Sequence, residues 1–379
     1  MGASSPETKP YNYLVVGAGM FGACFARIAT DSGQRVLVLD QRDHIGGNCY
    51  TETQNHIHIH RYGPHIFHTS NEAVWKFLNR FCSFQPFINS PLAYSGGKLY
   101  NLPFNMNTFY QMWGLRTPAE VQAKLSEQRL SLDRDPANLE EQALTLVGDD
   151  LYRSLILGYT QKQWQQHPRD LPPEIIKRLP LRFTYDNNYF NDRYQGIPAH
   201  GYTALFQRLL EGLDVRLSID FLADRAYWQD QADVIVYTGK IDAFFDYAYG
   251  ELAYRSLRFE HEWHDCDNFQ GNAVINYCDP DIAYTRMIEH RHFDPPIQSP
   301  GCTIVTREYP IAWHRQETPY YPINDAHNME TFSRYQKEAQ SLPQYLFGGR
   351  LAEYRYYDMH AVVGSVLTKA QQLGLSTGV

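Results

Sequence analysis

The stretch from Tyr11 to Asp40 constrains the chain more than any other. Tyr11–Val16 reads as a buried strand, and Gly17-Ala18-Gly19-Met20-Phe21-Gly22 follows it directly. A helical stretch then runs to about Asp31, Gly33 closes it, and Val36-Leu37-Val38-Leu39 forms a second buried strand ending at Asp40. Strand, G-x-G-x-x-G turn, helix and strand make a βαβ unit, which requires a parallel sheet. In such a unit the first glycine permits the tight turn and the second lets backbone approach a pyrophosphate. The third lets helix and strand pack closely, and the helix N-terminus offers N–H groups to phosphates. Asp40 stands where a carboxylate accepts ribose hydroxyls.

NAD and FAD share this fingerprint. Two further glycine pairs, Gly46-Gly47-Asn48 and Gly348-Gly349-Arg350, favour FAD. The first resembles the second tight turn of FAD proteins of the glutathione-reductase and amine-oxidase type. The second sits between a strand and a final helix, from about Tyr357 to Gln372, where an Arg can fork onto a pyrophosphate.

The 379 residues predict two to three domains. A net charge of −8 argues against a nucleic-acid binder. The six cysteines form no C-x-x-C, which predicts free thiols in a reducing compartment and a cytoplasmic protein. The longest apolar run, Tyr13 to Ala26, is too short to span a membrane. His56, His58 and His60 alternate and could share one strand face, but no companion ligand stands at a metal-site spacing, so no metal is expected. Gly63-Pro64-His65-Ile66-Phe67-His68 places two histidines on a turn that could lie against a cofactor or be merely structural.

Asn71 is expected to cap a helix. Leu102 to Gln166 reads as mainly helical, with a capping box at Thr117-Pro118-Ala119-Glu120, a cap at Asn138, and a last helix stopped by Gly158. Four prolines between Pro168 and Pro180 mark a loop. Val215–Ile219 and Asp233–Tyr237 read as strands returning to a sheet, and Tyr254 to Arg307 as several short β runs. The chain holds 28 Tyr, and buried Tyr needs a hydroxyl partner. Tyr159, Trp164 and Tyr189 could stack on a base whose edges Thr160, Asn187 or Asn188 read. Arg178, Arg255 and Arg286 could join tyrosine hydroxyls in a diphosphate clamp. For any one of them, ordinary packing or a surface ion pair is the simpler reading.

Several motifs together resemble the bacterial UDP-galactopyranose mutase family: the Gly17 turn, His44-Ile45-Gly46-Gly47-Asn48, Tyr62–His68, Asn101-Leu102-Pro103-Phe104-Asn105, Gly158-Tyr159-Thr160, Asp192–Pro198 and Gly348–Tyr354. The resemblance covers nearly the whole chain. It implies an α/β fold: a Rossmann-like FAD-binding domain of glutathione-reductase/amine-oxidase type, with a helical insertion domain and an antiparallel β-sheet domain. The implied boundaries are 11–78, 194–243 and 325–379 for the discontinuous FAD domain. The helical domain is 90–168 with a mobile loop at about 168–180, and the substrate-binding sheet domain is 79–89, 181–193 and 244–324.

The implied enzyme is an isomerase interconverting UDP-galactopyranose and UDP-galactofuranose. It uses FAD that is active when reduced, through a covalent adduct of flavin N5 with the galactose anomeric carbon. Galactofuranose would serve cell-surface glycans such as lipopolysaccharide. A cellular reductant such as NADPH or a reductase, and a homodimer, are implied as well. The catalytic positions fall on Arg178 and Arg286, with His65 beside the flavin. Substrate contacts fall on Asn89, Tyr159, Thr160, Trp164, Tyr189, Arg255, Glu308, Tyr321, Tyr356 and Asp358. Cofactor contacts fall on Gly17, Gly19, Phe21, Gly22, Asp40, Gly46, Gly47, Asn48, His65, His68, Thr238, Arg350, Tyr357, Asp358 and Met359. The chain has Gln165 where the family pattern has Gly, and Lys240 where it has Pro. The competing classes are an ordinary amine-oxidase-type flavin oxidoreductase and a non-catalytic nucleotide-sugar binder.

Overall fold

In the computed structural model, which describes residues 8–176, 179–294 and 301–379, the first two predicted strands lie side by side in a five-stranded sheet. Its order is Asp214–Arg216, Val36–Leu39, Tyr11–Val16, Ala232–Tyr237, Tyr345–Phe347. Every pair is parallel, with Tyr13 opposite Val36 and Val234, and Tyr237 opposite Phe347. Val36–Leu39 is buried throughout, as a strand covered on both faces must be. The helix Met20–Asp31 buries Phe25, Ile28 and Ala29 and packs against the last helix, Met359–Gln372. The Rossmann-like α/β class follows from this sheet. The predicted strand at Val215 is short, Asp214–Arg216, and the final helix starts at Met359 rather than about Tyr357.

A larger, seven-stranded sheet runs in the order Tyr321–Pro322, Tyr254–His264, Thr303–Ala312, Arg286–Glu289, Val274–Tyr277, Leu92–Ser95, Lys98–Asn101. It is antiparallel except where Val274–Tyr277 meets Leu92–Ser95. Tyr254–His264 is one long strand rather than short runs, paired with Thr303–Ala312 from Arg255↔Ala312 to His264↔Thr303. Arg258, Glu260 and Glu262 line the open face of its outer half, where Arg307 Nη1 meets Glu262 Oε2 at 2.5 Å. The hairpin Leu92–Asn101 joins this sheet, although the sequence groups it with the helical segment. Phe84–Gln85 pairs with Tyr194–Pro198, which also pairs with Phe67–Thr69.

The helical part comprises Met106–Trp113, Pro118–Gln128, Leu139–Val147, Asp149–Leu151 and, after one π-helical stretch at Tyr152–Leu157, Gly158–Trp164. Asn105 and Thr117 form capping boxes with Thr108 and Glu120, and Asn138 caps Leu139–Val147. Gly158 does not stop a helix. It sits inside one because a Cβ there would lie 2.2 Å from the Cys278 carbonyl oxygen. Pro168–Asp170 and Pro173–Ile175 are short 3-10 turns. Arg178 lies outside the described residues. His56 leaves the strand of the other two histidines: it occupies a turn with φ +63° before Ile57–His60. All six cysteines are free. Among the described residues, no helix is long and apolar enough to cross a membrane.

Candidate active site

A cleft of about 560 Å³ opens at the carboxyl ends of the parallel strands, where ligands of such sheets bind. Gly17, Gly19, Phe21, Gly22, Asp40, Gly46, Gly47, Asn48, His65, Thr238, Arg350 and Met359 line it. The glycines are required by space. A Cβ on Gly17 would lie 2.0 Å from Thr238 Oγ1, and Gly17 has φ +107°. A Cβ on Gly22 would lie 1.9 Å from the Gly17 carbonyl oxygen. Thr238 in turn donates to the Val16 carbonyl at 2.7 Å, tying the wall to the first strand.

Asp40 is buried and already accepts from the Ala18 N–H at 2.7 Å and the Arg42 N–H at 2.9 Å, so its free lone pairs are what remain for a ribose. Arg42, which the sequence reading missed, also lines the cleft. It donates to Asn48 Oδ1 at 2.9 Å, packs 4.5 Å over the Tyr62 ring, and leaves a buried Nη1 without a partner. A cation two residues past the acidic strand end was the available signal. Arg350 donates through Nε to the Tyr357 carbonyl at 2.8 Å. Tyr357 therefore supports the wall through its backbone, and its hydroxyl turns away to Glu353. Lys240 keeps φ −63°, the value the family's Pro would impose, and carries its ammonium 4.6 Å over Trp313.

His65 Nδ1 lies 2.8 Å from the Gly63 carbonyl, so Nδ1 carries the proton and Nε2 is left as acceptor. Burial, aided by Arg350, pulls its pKa down to about 4. The His65 N–H donates to His60 Nδ1 at 3.1 Å, and the His60 N–H to His290 Nδ1 at 3.2 Å. His290 and His261 both meet Thr306 Oγ1 at 2.6 Å. Burial holds His290 at about 3 and His261 at about 4, and His60 well below its ordinary value. In the unfolded chain these rings take protons near pH 6.5, whereas the folded protein resists them down to about pH 4. The unfolded state thus binds more protons in that window, and stability must fall as pH falls through it. The Tm is expected to drop steeply between pH 6.5 and 4, with native-state destabilisation on the order of several kcal/mol. Calorimetry along that range checks it, and a flat Tm would contradict the neutral buried rings.

His68 and Asp358 stand outside the main cleft. His68 stacks on Phe190 at 3.7 Å, and its Nδ1 hydrogen-bonds Asp192 Oδ2 at 2.6 Å. Its ring, the exposed Asp358 carboxylate and His360 bring ligand atoms within 4.8 Å of one another at the start of the last helix.

The remaining predicted residues gather beside the seven-stranded sheet. Arg286 begins a strand opposite Glu308. Its Nε donates to the Tyr159 hydroxyl at 3.1 Å and lies 3.7 Å from Glu308 Oε1. Burial opposes the Arg286 charge, but Glu308 and Tyr159 outweigh it and hold the guanidinium charged. Burial pushes the Tyr159 hydroxyl up to about 12. The Tyr321 and Tyr356 rings meet edge to face at 5.3 Å, and both tyrosines feel the Arg286 charge, as does Tyr189. The Tyr189 N–H is held by the Asn89 carbonyl at 2.7 Å. Arg255 is buried, donates to the Gln163 carbonyl at 3.2 Å, and keeps an unpartnered Nη2. Thr160 is buried and Trp164 half-buried on the Tyr159 helix. That helix ends at Gln165 with φ +52°, a left-handed turn that suits the Gly of the family pattern and costs Gln about 1 kcal/mol.

Residues 154–356 match the family model described as GLF: UDP-galactopyranose mutase, and residues 15–81 match the NAD(P)-binding Rossmann-like domain. The chain is 40% identical over 366 residues to a probable UDP-galactopyranose mutase of Klebsiella pneumoniae, covering 95% of this chain and 94% of that one. It is 38% identical over 366 residues to a dTDP-fucopyranose mutase of Escherichia coli, covering 94% and 97%. A crystal structure of reduced UDP-galactopyranose mutase superimposes with a TM-score of 0.72 at 14% identity, covering 97% of this chain and 94% of that one.

Proposed function

The chain belongs to the UDP-galactopyranose mutase family, and from that premise we propose that it interconverts UDP-galactopyranose and UDP-galactofuranose on bound, reduced FAD. The observation that carries the reading is the charged Arg286, held by Tyr159 and Glu308 and ringed by Tyr189, Tyr321 and Tyr356. An ordinary amine oxidase has no need of a guanidinium set among phenols, whereas a departing nucleoside diphosphate does.

The cleft residues fit FAD. The Gly17–Gly22 backbone and the unpartnered Arg42 Nη1 suit a pyrophosphate, Asp40 a ribose, and Arg350 and Met359 the far end. Once bound and reduced, the flavin would supply a nucleophilic N5 able to hold the anomeric carbon covalently while the ring form changes. The chain's own residues do the rest. Arg286, joined by Arg178 in the proline-rich segment, balances charge on the β-phosphate as the sugar leaves it. Tyr159, Trp164 and Tyr189 hold the base, with Asn89 and Thr160 beside them. Arg255, Glu308, Tyr321, Tyr356 and Asp358 orient diphosphate and sugar. His65 lines the cleft with Nε2 free to accept a hydrogen bond, and would offer that acceptor to a bound flavin. The proposal includes a cytoplasmic homodimer reduced by NADPH or a reductase, and galactofuranose destined for cell-surface glycans.

A second reading has its own support, since a relative of nearly equal identity is a dTDP-fucopyranose mutase. One experiment separates the readings. Dithionite-reduced protein is incubated with UDP-galactofuranose or dTDP-fucofuranose, and the products are resolved by chromatography. Appearance of UDP-galactopyranose, with the oxidised protein nearly inactive, supports the first reading. Turnover of the dTDP sugar alone supports the second. Equal rates in both redox states, or bleaching of the flavin by UDP-galactose itself, overturn both.

A further inference from the structure

The helix that carries Tyr159 is fastened to the loop that delivers Arg286 by one half-buried cation that no motif reading singled out. The Lys162 ammonium donates to four backbone carbonyls, of Tyr277 at 2.7 Å, Asp279 at 2.9 Å, Ile282 at 3.0 Å and Tyr284 at 3.2 Å. Three N–H bonds facing four carbonyls is an arrangement otherwise typical of a bound monovalent ion, with the lysine as its tether. The carbonyls belong to the 277–284 loop, which runs directly into Thr285 and Arg286. One helical turn before Lys162, on the same face, Gly158 leaves room for the Cys278 carbonyl, which a Cβ would meet at 2.2 Å. Cys278 Sγ in turn approaches the Leu155 carbonyl at 3.4 Å, on the π-helical stretch. Tyr159 lies between Gly158 and Lys162, and its hydroxyl accepts from Arg286. Burial draws the Lys162 pKa down to about 8 against Cys278 and Asp279, so the charge is kept there at a cost that ordinary packing does not require.

We propose that Lys162 is a positioning residue: it locks the Tyr159 helix to the 277–284 loop, so that Arg286 and Tyr159 meet the substrate diphosphate as one preset unit. The proposal rests on the mutase reading for its substrate, but its geometry is read independently through nucleotide affinity.

The test is a double-mutant cycle between Lys162→Met and Arg286→Ala in the flavin-loaded protein. It is read in the binding of UDP and of dTDP by tryptophan fluorescence, and in turnover per bound flavin. Lys162→Met is expected to weaken binding of the preferred nucleotide about tenfold in the wild-type background. In the Arg286→Ala background it should weaken binding less than twofold. Lys162→Gln, which keeps two N–H donors, should lie between wild type and Lys162→Met. The same factor in both backgrounds, or unchanged affinity in Lys162→Met, overturns the proposal. So does failure of both Lys162→Met and Lys162→Gln to fold with flavin bound, which assigns Lys162 to stability alone. A wild-type protein that binds nucleotide with this coupling but converts neither sugar overturns the mutase reading and leaves the positioning role standing.

Discussion

Arg286→Ala is expected to lower kcat/KM for the sugar nucleotide by 10²–10³-fold while flavin stays bound. That is the loss seen when one preset donor to a developing charge is removed. The physical case has two parts. The guanidinium is kept charged by Glu308 and Tyr159 despite its burial, so it meets the β-phosphate without reorganising. Its removal also strands Glu308, which is 1% exposed, without that cation, so a carboxylate remains where a dianion must approach. Arg286→Lys keeps the charge but loses the planar fork, and an intermediate loss is expected. Steady-state kinetics normalised to flavin content measures both. Near-wild-type turnover in Arg286→Ala would remove the clamp from the mechanism.

Gly22→Ala is expected to abolish flavin retention, with occupancy after gel filtration falling at least tenfold. The new methyl group would lie 1.9 Å from the Gly17 carbonyl oxygen and 3.0 Å from Val15 Cγ1. Both belong to the strand and turn that shape the phosphate cradle, so relief must come from backbone movement at the cleft. Gly33→Ala is the matched control. Gly33 has φ +80° but nothing within 4 Å of a Cβ, so the cost is about 1–2 kcal/mol of backbone strain with flavin content unchanged. Visible absorbance and thermal melts on the pair separate strain from clash. A fully yellow Gly22→Ala protein would show that the turn does not form the cradle.

The parts of this fold written in local chemistry were legible in the sequence. The Tyr11–Asp40 unit and the Asn71, Thr117 and Asn138 caps are stated by neighbouring residues, and the structure has them. The length of the strand Tyr254–His264 was not legible, because its pairing with Thr303–Ala312 is what carries it unbroken to His264. Gly158 was misread for a related reason. Its role is set by a carbonyl more than a hundred residues away, not by the end of a helix. The same holds for Lys162, whose partners are backbone atoms with no side-chain signature. Arg286 was legible as one of three arginines that could clamp a diphosphate, and the family resemblance gave it a catalytic role. What the sequence could not supply was its hold on Tyr159 and Glu308, which exists only once strand and helix are docked.

The parallel sheet carries a consequence for how the protein is made. Its first strand, Tyr11–Val16, pairs with Ala232–Tyr237, which pairs in turn with Tyr345–Phe347. Arg350 and Met359, which line the same cleft as the first glycine turn, follow still later. On the ribosome the first glycine turn thus emerges long before the rest of the cleft lining. Such distant pairings are slow to form. A chain that stops short of Gly349 therefore lacks part of the cleft lining, and the cleft is completed only when the late strand docks beside the early ones.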